Sequence, residues 1–334
     1  MSATIEAFGI TPDQQIVEKI TIGNDELTVS VLTWGAVLHD VRLADMGYPL
    51  TLGGPDLAAY SGPMKSFGSV IGPVVNRIRN AEAEIDGVSY AFEANLDGLH
   101  TKHGGTQGPH VQVWKIVETS PSHAVLELKL PDGLSGFPGD RVIRAEYRVS
   151  GAMLDLVLVV HTDRPTLINL ANHSYWNLDG SMDARGHKLQ IFAERYTENG
   201  PDLMVTGQVL PVAGSIYDFR EAKCLEAGED RLFDLNYVLS DAKRPLTKAA
   251  RMEGESGVVM EMSTTEPGLQ LFDFGSFDTG EFIGHLGVPY QRYSAIALEA
   301  QTWPGALSRN DWPSIEVTPD QPYHQHTRWA FSAT

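Results

Sequence analysis

Residues 172–178 of this 334-residue chain carry an unusual density of chemically useful side chains. They read Asn-His-Ser-Tyr-Trp-Asn-Leu and follow the mostly apolar run at residues 166–171. A strand that delivers such a cluster to its end presents a sugar-binding or catalytic site on a rigid scaffold. A lone buried histidine is more often a core residue with satisfied hydrogen bonds, but His173 has companions elsewhere in the sequence.

Four other segments place a charged or imidazole side chain in apolar, turn-rich surroundings. Arg77 follows two valines and an asparagine, and His103 precedes a pair of glycines. Asp234 lies between aromatic residues, and Glu299 ends the apolar run at residues 295–298. Each segment alone is weak evidence, because a charge at a strand end is usually a solvated cap.

Taken together, these residues have the chemistry needed to bind and convert a neutral sugar. Aspartate and arginine hold ring hydroxyls through charge-assisted hydrogen bonds. The rings of Trp176 and Trp303 are candidates to stack on the C–H faces of a pyranose. A carboxylate and an imidazole, here Glu299 and His173, can transfer protons near neutral pH.

The elements that position these residues are predicted to be β-strands. Residues 126–130 and 143–149 alternate between apolar and polar, which is typical of a strand with one buried face. Residues 154–160 are more continuously apolar, as expected of a strand in the core of a sandwich. Turn dipeptides such as Asp-Gly recur among 32 glycines and 19 prolines.

Only short helical segments are expected, such as residues 56–60 and 220–223, and a further strand is expected at residues 26–32. There is no linker, break in composition or short repeat. We therefore predict an all-β protein that forms one large antiparallel β-sandwich, with residues 1–334 as a single domain.

Composition excludes several functional classes. The net charge is −18, from 43 acidic and 25 basic residues, and such a charge repels nucleic acid and anionic membranes. It also disfavours a phosphorylated substrate unless a local basic cluster offsets it. No apolar run approaches the ~18 residues of a membrane span, and the first seven residues lack the features of a secretory signal. The single cysteine, Cys224, suits a reducing compartment, so we expect a cytoplasmic location.

The chain resembles the aldose 1-epimerase, or galactose mutarotase, family. The resemblance spans roughly residues 30 to 330 and rests on these segments in the family's order: Asn76-Arg77-Ile78, His103-Gly104-Gly105, Gly136-Phe137-Pro138-Gly139, residues 172–178, Asp218-Phe219-Arg220, Phe233-Asp234-x-Asn236-Tyr237 and Leu298-Glu299-x-Gln301. It implies the large antiparallel β-sandwich of the galactose mutarotase type, in agreement with the strand pattern.

The resemblance also implies an activity and the residues that perform it. The activity is interconversion of the α and β anomers of a neutral aldose such as galactose or glucose, without a metal or an organic cofactor. Glu299 is implied as the general base at the anomeric hydroxyl, and His173 as the general acid at the ring oxygen. The implied substrate-binding residues are Arg77, His103, Asp234, Asn76, Trp176 and Gln301.

These roles lead to an expectation about protonation. One group must accept a proton while the other donates one, so we expect an ionised Glu299 and a protonated His173 in the free enzyme. Unperturbed pKa values near 4.3 for glutamate and 6.5 for histidine leave the imidazole mostly neutral at pH 7. We expect nearby carboxylates to favour its charged form.

The sequence departs from the family pattern beside the expected site. Gly72-Pro73-Val74-Val75 stands where the family usually has Arg-Tyr-Ala, and Leu235 stands where it often has a histidine. After His-Gly-Gly, the usual Gly-Phe becomes Gly108-Pro109-His110. These changes bear on the preferred sugar more than on the reaction.

Two other interpretations are open. One is a carbohydrate-binding protein with an inactive mutarotase-like site, which would not need both Glu299 and His173. The other is a metal-dependent β-barrel enzyme, because His324 and His326 share one face of a strand; a solvated terminal strand is the simpler interpretation. We expect a monosaccharide as the only partner, with the protein a monomer or weak homodimer. The particular aldose or sugar acid, and the pathway, are left open.

Overall fold

The computed structural model describes residues 3–226, 228 and 233–333, so the first two residues of the N-terminal segment discussed above lie outside it. These ranges contain 27 strands, β1–β27, and one five-residue α-helix, α1 at Leu57–Ser61. Single turns of 3₁₀ helix lie at Arg79–Ala81, Pro109–Val111, Leu134–Gly136 and Ala306–Ser308. No helix in the described ranges is long and apolar enough to span a membrane.

The strands follow in chain order. The first nine are β1 Thr4–Ile10, β2 Ile16–Gly23, β3 Leu27–Leu32, β4 Val37–Leu43, β5 Val70–Ile71, β6 Arg77–Ile78, β7 Glu82–Ile85, β8 Val88–Ala91 and β9 Thr101–Lys102. The next nine are β10 Lys115–Ser120, β11 His123–Leu130, β12 Arg141–Ser150, β13 Met153–Thr162, β14 Thr166–Leu167, β15 Ala171–Asn172, β16 Tyr175–Trp176, β17 Lys188–Ile191 and β18 Arg195–Asn199. The last nine are β19 Val205–Pro211, β20 Lys223–Cys224, β21 Asp234–Val238, β22 Thr247–Glu253, β23 Val258–Thr264, β24 Gly268–Phe272, β25 Ile296–Gln301, β26 Glu316–Val317 and β27 Tyr323–Ala333.

Two large antiparallel sheets form the sandwich. In the described chain, one has nine strands in the order β10-β11-β12-β13-β27-β23-β22-β17-β20, and the other has six in the order β16-β25-β24-β21-β18-β19. Strands β1 to β4 form a separate antiparallel sheet in sequence order, and the pairs β5-β15, β6-β9, β7-β8 and β14-β26 complete the fold. The prediction of an all-β antiparallel sandwich is confirmed.

The core lies between the sheets because strands such as β11 and β12 alternate buried with more exposed side chains. In β12, alternate residues from Arg141 to Val149 are buried, and in β11 the same holds from Ala124 to Leu130. Residues from the nine-stranded, six-stranded and N-terminal sheets join one continuous apolar cluster. Trp176 of the six-stranded sheet packs against Trp329 of the nine-stranded sheet, with ring centroids 5.6 Å apart.

The local predictions differ in outcome. Strands cover the four predicted segments at 126–130, 143–149, 154–160 and, from Leu27, 26–32, and α1 covers most of residues 56–60. Asp56 caps this helix, because its carboxylate accepts a hydrogen bond from the backbone of Ala59 at 3.1 Å. The helix predicted at 220–223 is wrong: Asp218 accepts the backbone N–H of Arg220, and the chain then enters β20, which pairs with β17.

Candidate active site

A polar cavity of about 520 Å³ lies against the outer face of the six-stranded sheet. Its walls come from that sheet, from the paired strands β6 and β9, and from the loops at residues 63–67 and 276–277. The lining includes six of the eight predicted site residues: Asn76, Arg77, His103, His173, Asp234 and Glu299. The topology therefore brings together segments that are up to 223 positions apart in the chain (Asn76 to Glu299).

Strand alternation explains why the sheet presents carboxylates to the cavity. In β25, Leu298 joins the apolar cluster while Glu299 points to the opposite face. Glu299 lies directly across from Gln270 of β24, and Gln270 lies across from Asn236 of β21. The outer face thus carries a polar row over a sheet whose inner face is apolar.

His173 is held by the backbone on both sides. Its N–H donates to the carbonyl of Ser69 at 3.0 Å, and its own carbonyl accepts the N–H of Gly68 at 2.9 Å. The Asn172 side chain donates to the Gly68 carbonyl at 2.7 Å and accepts from the Ser174 hydroxyl at 2.7 Å. The amide and hydroxyl of the polar heptad therefore fix the position of the imidazole.

The imidazole faces the glutamate. His173 Nε2 lies 3.3 Å from Glu299 Oε1, and the two side chains are only 8% and 4% exposed. An imidazole and a carboxylate at this distance, both at a cavity wall, can exchange a proton with each other or with a bound hydroxyl.

A second charged pair lies across the same cavity. Arg77 Nη2 is 3.7 Å from Asp234 Oδ2, and Gln270 donates to the other carboxylate oxygen of Asp234 at 2.6 Å. The Asn76 side chain also accepts a hydrogen bond from Arg77 Nη1 at 3.3 Å. These contacts hold Arg77 and Asp234 in fixed orientations while both remain at the cavity wall.

The segment that carries Arg77 also fixes the tautomer of His103. The backbone N–H of Asn76 donates to His103 Nδ1 at 3.3 Å, so in the neutral ring the proton is on Nε2. Burial lowers the pKa of His103 well below its usual value, with Lys102 and other cations adding to the effect. His103 is therefore a neutral donor through Nε2. The close approach requires glycine at 104, where a Cβ would lie 2.1 Å from the Gly72 carbonyl oxygen.

The environment reverses the expected protonation of the pair. Burial raises the pKa of Glu299 to about 8; Asp234 raises it further, while Lys102 and Arg77 oppose the rise. Burial also lowers the pKa of His173 to about 3, and the charge of Lys102 acts in the same direction. The expectation of an ionised Glu299 beside a protonated His173 is therefore wrong for the free protein, because desolvation penalises both charges.

The pair nevertheless keeps one proton over a wide range of pH. With the proton on Glu299 both side chains are neutral, and with the proton on His173 they form an ion pair. The two forms have the same total charge. They differ only in which side chain carries the proton, which can move across the 3.3 Å contact between them. Such coupled groups titrate as a unit, so the pH limits belong to the pair.

Two predicted site residues lie outside the cavity. Trp176 alternates with Tyr175 on β16, so Tyr175 faces the cavity while Trp176 is fully buried against Trp329 in the sandwich core. Gln301 is on the same side of β25 as Glu299 but is fully buried opposite Gly268, next to Trp303. Trp303 does not line this cavity either. The predicted stacking by Trp176 and Trp303 and the sugar contact by Gln301 are wrong for this structure.

Sequence reasoning missed several residues of the lining. Lys102, Gln270 and Tyr175 were not identified individually, and the apolar wall is formed by Phe67, Phe272 and Phe277 in addition to Tyr175. A signal was available for Gln270, because a glutamine at an alternate position of the apolar stretch 268–272 predicts an outward polar side chain. His110 also lines the cavity, and burial lowers its pKa to about 4. His100 instead accepts the backbone N–H of Asn80 at 2.9 Å.

The C-terminal histidines have a different environment. His326 Nε2 lies 2.6 Å from Asp155 Oδ1, and the same carboxylate binds Arg328. Among the residues that the structure describes, no group of three or more histidine, cysteine, aspartate or glutamate side chains is arranged to hold a metal ion.

The structure also shows where the three segments that depart from the family pattern lie relative to the cavity. Leu235 is 4% exposed and faces the apolar core, so its side chain does not reach the cavity. The Gly72 carbonyl packs against Gly104 and Gly108. The Gly108-Pro109-His110 segment brings His110 to the cavity wall.

Comparisons with known proteins agree with this arrangement. The aldose 1-epimerase family model matches residues 18–330. The chain is 32% identical to galactose mutarotase of Pongo abelii, over 98% of each protein. It is 28% identical to aldose 1-epimerase of Escherichia coli strain K12, over 98% of this chain and 99% of that protein. The crystal structure of an aldose epimerase homologue from C. elegans superposes with a TM-score of 0.87 at 28% identity, covering 95% of this chain and 99% of the other. The chain belongs to the aldose 1-epimerase family.

Proposed function

We propose that this protein is an aldose 1-epimerase, an isomerase that interconverts the α and β anomers of an aldose such as galactose or glucose. The observation that carries the proposal is the buried contact between His173 Nε2 and Glu299 Oε1 at the wall of a polar cavity of sugar size. Family membership and the names of the relatives support the same activity.

The proposed reaction needs two proton transfers and one reversible bond cleavage. Glu299 takes the proton from the anomeric hydroxyl, the C1–O5 bond breaks, and His173 gives a proton to O5. The product is the open-chain aldehyde. Rotation about C1–C2 exposes the other carbonyl face, and O5 attacks it as the two residues reverse their roles. Protons and electrons balance, because each residue regains what it gave.

The single proton of the pair fits this cycle. The reactive form has the proton on His173, and the form that burial favours has it on Glu299. Arg77 favours the ionised carboxylate and so reduces the difference between the two forms, whereas Lys102 favours the ionised carboxylate but disfavours the protonated imidazole. Moving the proton between the residues requires no exchange with solvent, which keeps the pair ready at neutral pH.

The remaining lining residues are proposed to orient the sugar. Arg77 and Asp234, held by Asn76 and Gln270, offer a fixed donor and a fixed acceptor to ring hydroxyls. His103 offers a neutral N–H donor. Tyr175 and Phe272 supply an apolar wall for the C–H face of the ring. Every role in the reaction is assigned to a side chain.

The test is an exchange measurement on freshly dissolved α-anomers of several aldoses, by polarimetry or by NMR. We expect catalysed exchange for at least one neutral aldose, and a kcat lower by about 10²–10⁴-fold when Glu299 is replaced by glutamine. Tight sugar binding without exchange would instead support the inactive carbohydrate-binding alternative.

We also propose that residues 1–334 form one domain that works in the cytoplasm as a monomer or weak homodimer. The support is the large apolar cluster that joins residues of the three largest sheets, and the lone cysteine, Cys224, which is exposed and forms no disulfide. Analytical ultracentrifugation tests the oligomeric state.

A further inference from the structure

Lys102 places an unneutralised charge in the cavity wall. The side chain is half-buried and lines the cavity beside His103. Its ammonium group makes no hydrogen bond and no ion pair with any part of the chain that the structure describes. Burial, with the charges of Arg77 and Lys65, lowers the pKa of Lys102, and the carboxylates of Asp234 and Glu299 oppose this only in part, so the protein compensates this cation incompletely.

The backbone fixes Lys102 in an unfavourable electrostatic position. Lys102 lies directly opposite Arg77 in the β6–β9 pair, and like charges at opposed positions destabilise a strand pair. The Asn95 side chain accepts the N–H of Lys102 at 2.7 Å and donates to its carbonyl at 2.9 Å, which holds the lysine in register. A fixed pair of like charges is what a site for an anionic group requires.

The charges around the cavity do not balance. The described lining has three basic side chains, Lys65, Arg77 and Lys102, and two carboxylates, Asp234 and Glu299. Asp234 is engaged by Arg77, and Glu299 shares one proton with His173. The lining histidines are neutral because burial lowers their pKa values. The wall is therefore cationic in a protein whose net charge is −18, and it provides the local attraction that an anion needs to enter.

We propose that the site prefers aldoses that carry a carboxylate, that is, hexuronic acids, with Lys102 as the residue that binds the carboxylate. The inference rests on the proposed function and names its substrate class. A hexuronic acid keeps the C1 hydroxyl and the ring oxygen, so the same bond breaks and the same two protons move. The carboxylate takes no part in these steps. One ammonium matches one carboxylate, and Lys65 at the exposed rim adds attraction over a longer distance.

The experiment compares substrates that differ only in this group. NMR exchange rates are measured for galacturonate against galactose and for glucuronate against glucose, each corrected for the spontaneous rate. We expect a higher kcat/KM for each uronate than for its neutral partner. We also expect added salt to reduce that advantage, since it screens the charges at the rim.

Variants assign the effect to Lys102. In Lys102→Met we expect the uronate-to-neutral ratio of kcat/KM to fall by about 10- to 100-fold, the usual worth of a hydrogen bond to a charged group. Lys102→Arg keeps the charge and should keep most of the ratio. The matched control is Lys129→Met, which removes an exposed lysine from β11 and should leave the ratio unchanged.

The outcomes separate this inference from the proposed function. Catalysis of neutral aldoses with no advantage for uronates, or a ratio that does not change in Lys102→Met, overturns the inference and leaves the proposed function intact. A preference for glucose 6-phosphate over the uronates overturns the assignment to a carboxylate. Absence of exchange with every sugar overturns the proposed function itself.

Discussion

Two imidazole–carboxylate pairs in this molecule contain the same chemical groups but differ in protonation. His173 and Glu299 are 3.3 Å apart and almost fully buried. His326 and Asp155 are 2.6 Å apart, with the imidazole 23% exposed. Burial alone would raise the pKa of Asp155, but hydrogen bonds from His326 and Arg328 outweigh burial and hold that pKa below its usual range. Glu299 has no arginine contact of this kind, and burial raises its pKa to about 8.

The difference shows what the local environment adds to residue type. Arg328 forms two hydrogen bonds with Asp155, at 2.8 and 3.1 Å, and so fixes an ionised carboxylate in a structural role. The arginine that lowers the pKa of Glu299, Arg77, is instead paired with Asp234 at 3.7 Å. The buried pair therefore keeps a proton that it can give to a substrate, whereas the other pair contributes to the stability of the β13–β27 contact.

The largest contrast is expected from neutralising the two carboxylates. Glu299→Gln should reduce kcat by about 10²–10⁴-fold, the usual effect of losing a general base. Asp155→Asn should leave kcat within about twofold but reduce the free energy of unfolding by about 1–3 kcal/mol, since it weakens charged hydrogen bonds. Exchange kinetics and urea unfolding measure the two effects. Near-wild-type turnover in Glu299→Gln would overturn the mechanism.

The imidazoles should differ in the same way. His173→Asn should reduce kcat by a factor similar to that of Glu299→Gln, and the double variant should be little worse than either single variant, because the two residues act as a unit. His326→Asn should retain activity. Multiplicative losses in the His173 and Glu299 double variant would mean that the two side chains act independently.

The pH dependence follows from the shared proton. Below about pH 8 the pair retains its proton. Above about pH 8 the pair has lost that proton, so Glu299 is ionised, His173 is neutral and neither can act as the general acid. The value of kcat/KM should therefore be constant from about pH 5 to 7 and fall by about tenfold per pH unit well above 8. A profile that instead begins to fall as the pH rises through about 6.5, with an acid limb near pH 4.3, would show that Glu299 and His173 hold their ordinary pKa values.

The two arginines provide the smallest contrast. Arg77→Lys keeps the charge but loses the planar fork that can hold two sugar oxygens, so we expect about a tenfold loss in kcat/KM with little change in stability. Arg328→Lys should leave kinetics unchanged and lower stability by about 1 kcal/mol. A fully active Arg77→Lys enzyme would show that only the positive charge of Arg77 matters.

The fold was predictable because the alternation of apolar and polar residues is visible in the sequence of several strands. Alternation in β11 and β12 marks both the strand and its buried face, and the density of turn residues excludes long helices. The error at residues 220–223 arose because the helical pattern there is weak. The hydrogen bond that the Asp218 carboxylate accepts from the backbone N–H of Arg220 and the pairing of β20 with β17 determine the structure there.

The site was predictable in its residues but not in its geometry. The segments around Arg77, His103, His173, Asp234 and Glu299 all reach the cavity. Trp176 was misassigned because adjacent residues of a strand point to opposite faces of the sheet, and Tyr175, not Trp176, is on the cavity side. The protonation of Glu299 was not predictable, because it depends on burial by distant segments. The proposed role of Lys102 depends on its position opposite Arg77, and that position could not be predicted without the register of β6 and β9.

The most direct test of the central claim is an NMR titration of the Glu299 side-chain carboxyl in protein labelled with ¹³C at the glutamate carboxyl, with Glu299→Gln used to assign the signal. The account predicts that Glu299 is protonated at pH 6 and titrates near pH 8, at the same pH as the alkaline decrease in kcat/KM. A carboxyl that is already ionised at pH 6, with its transition near 4, would contradict it.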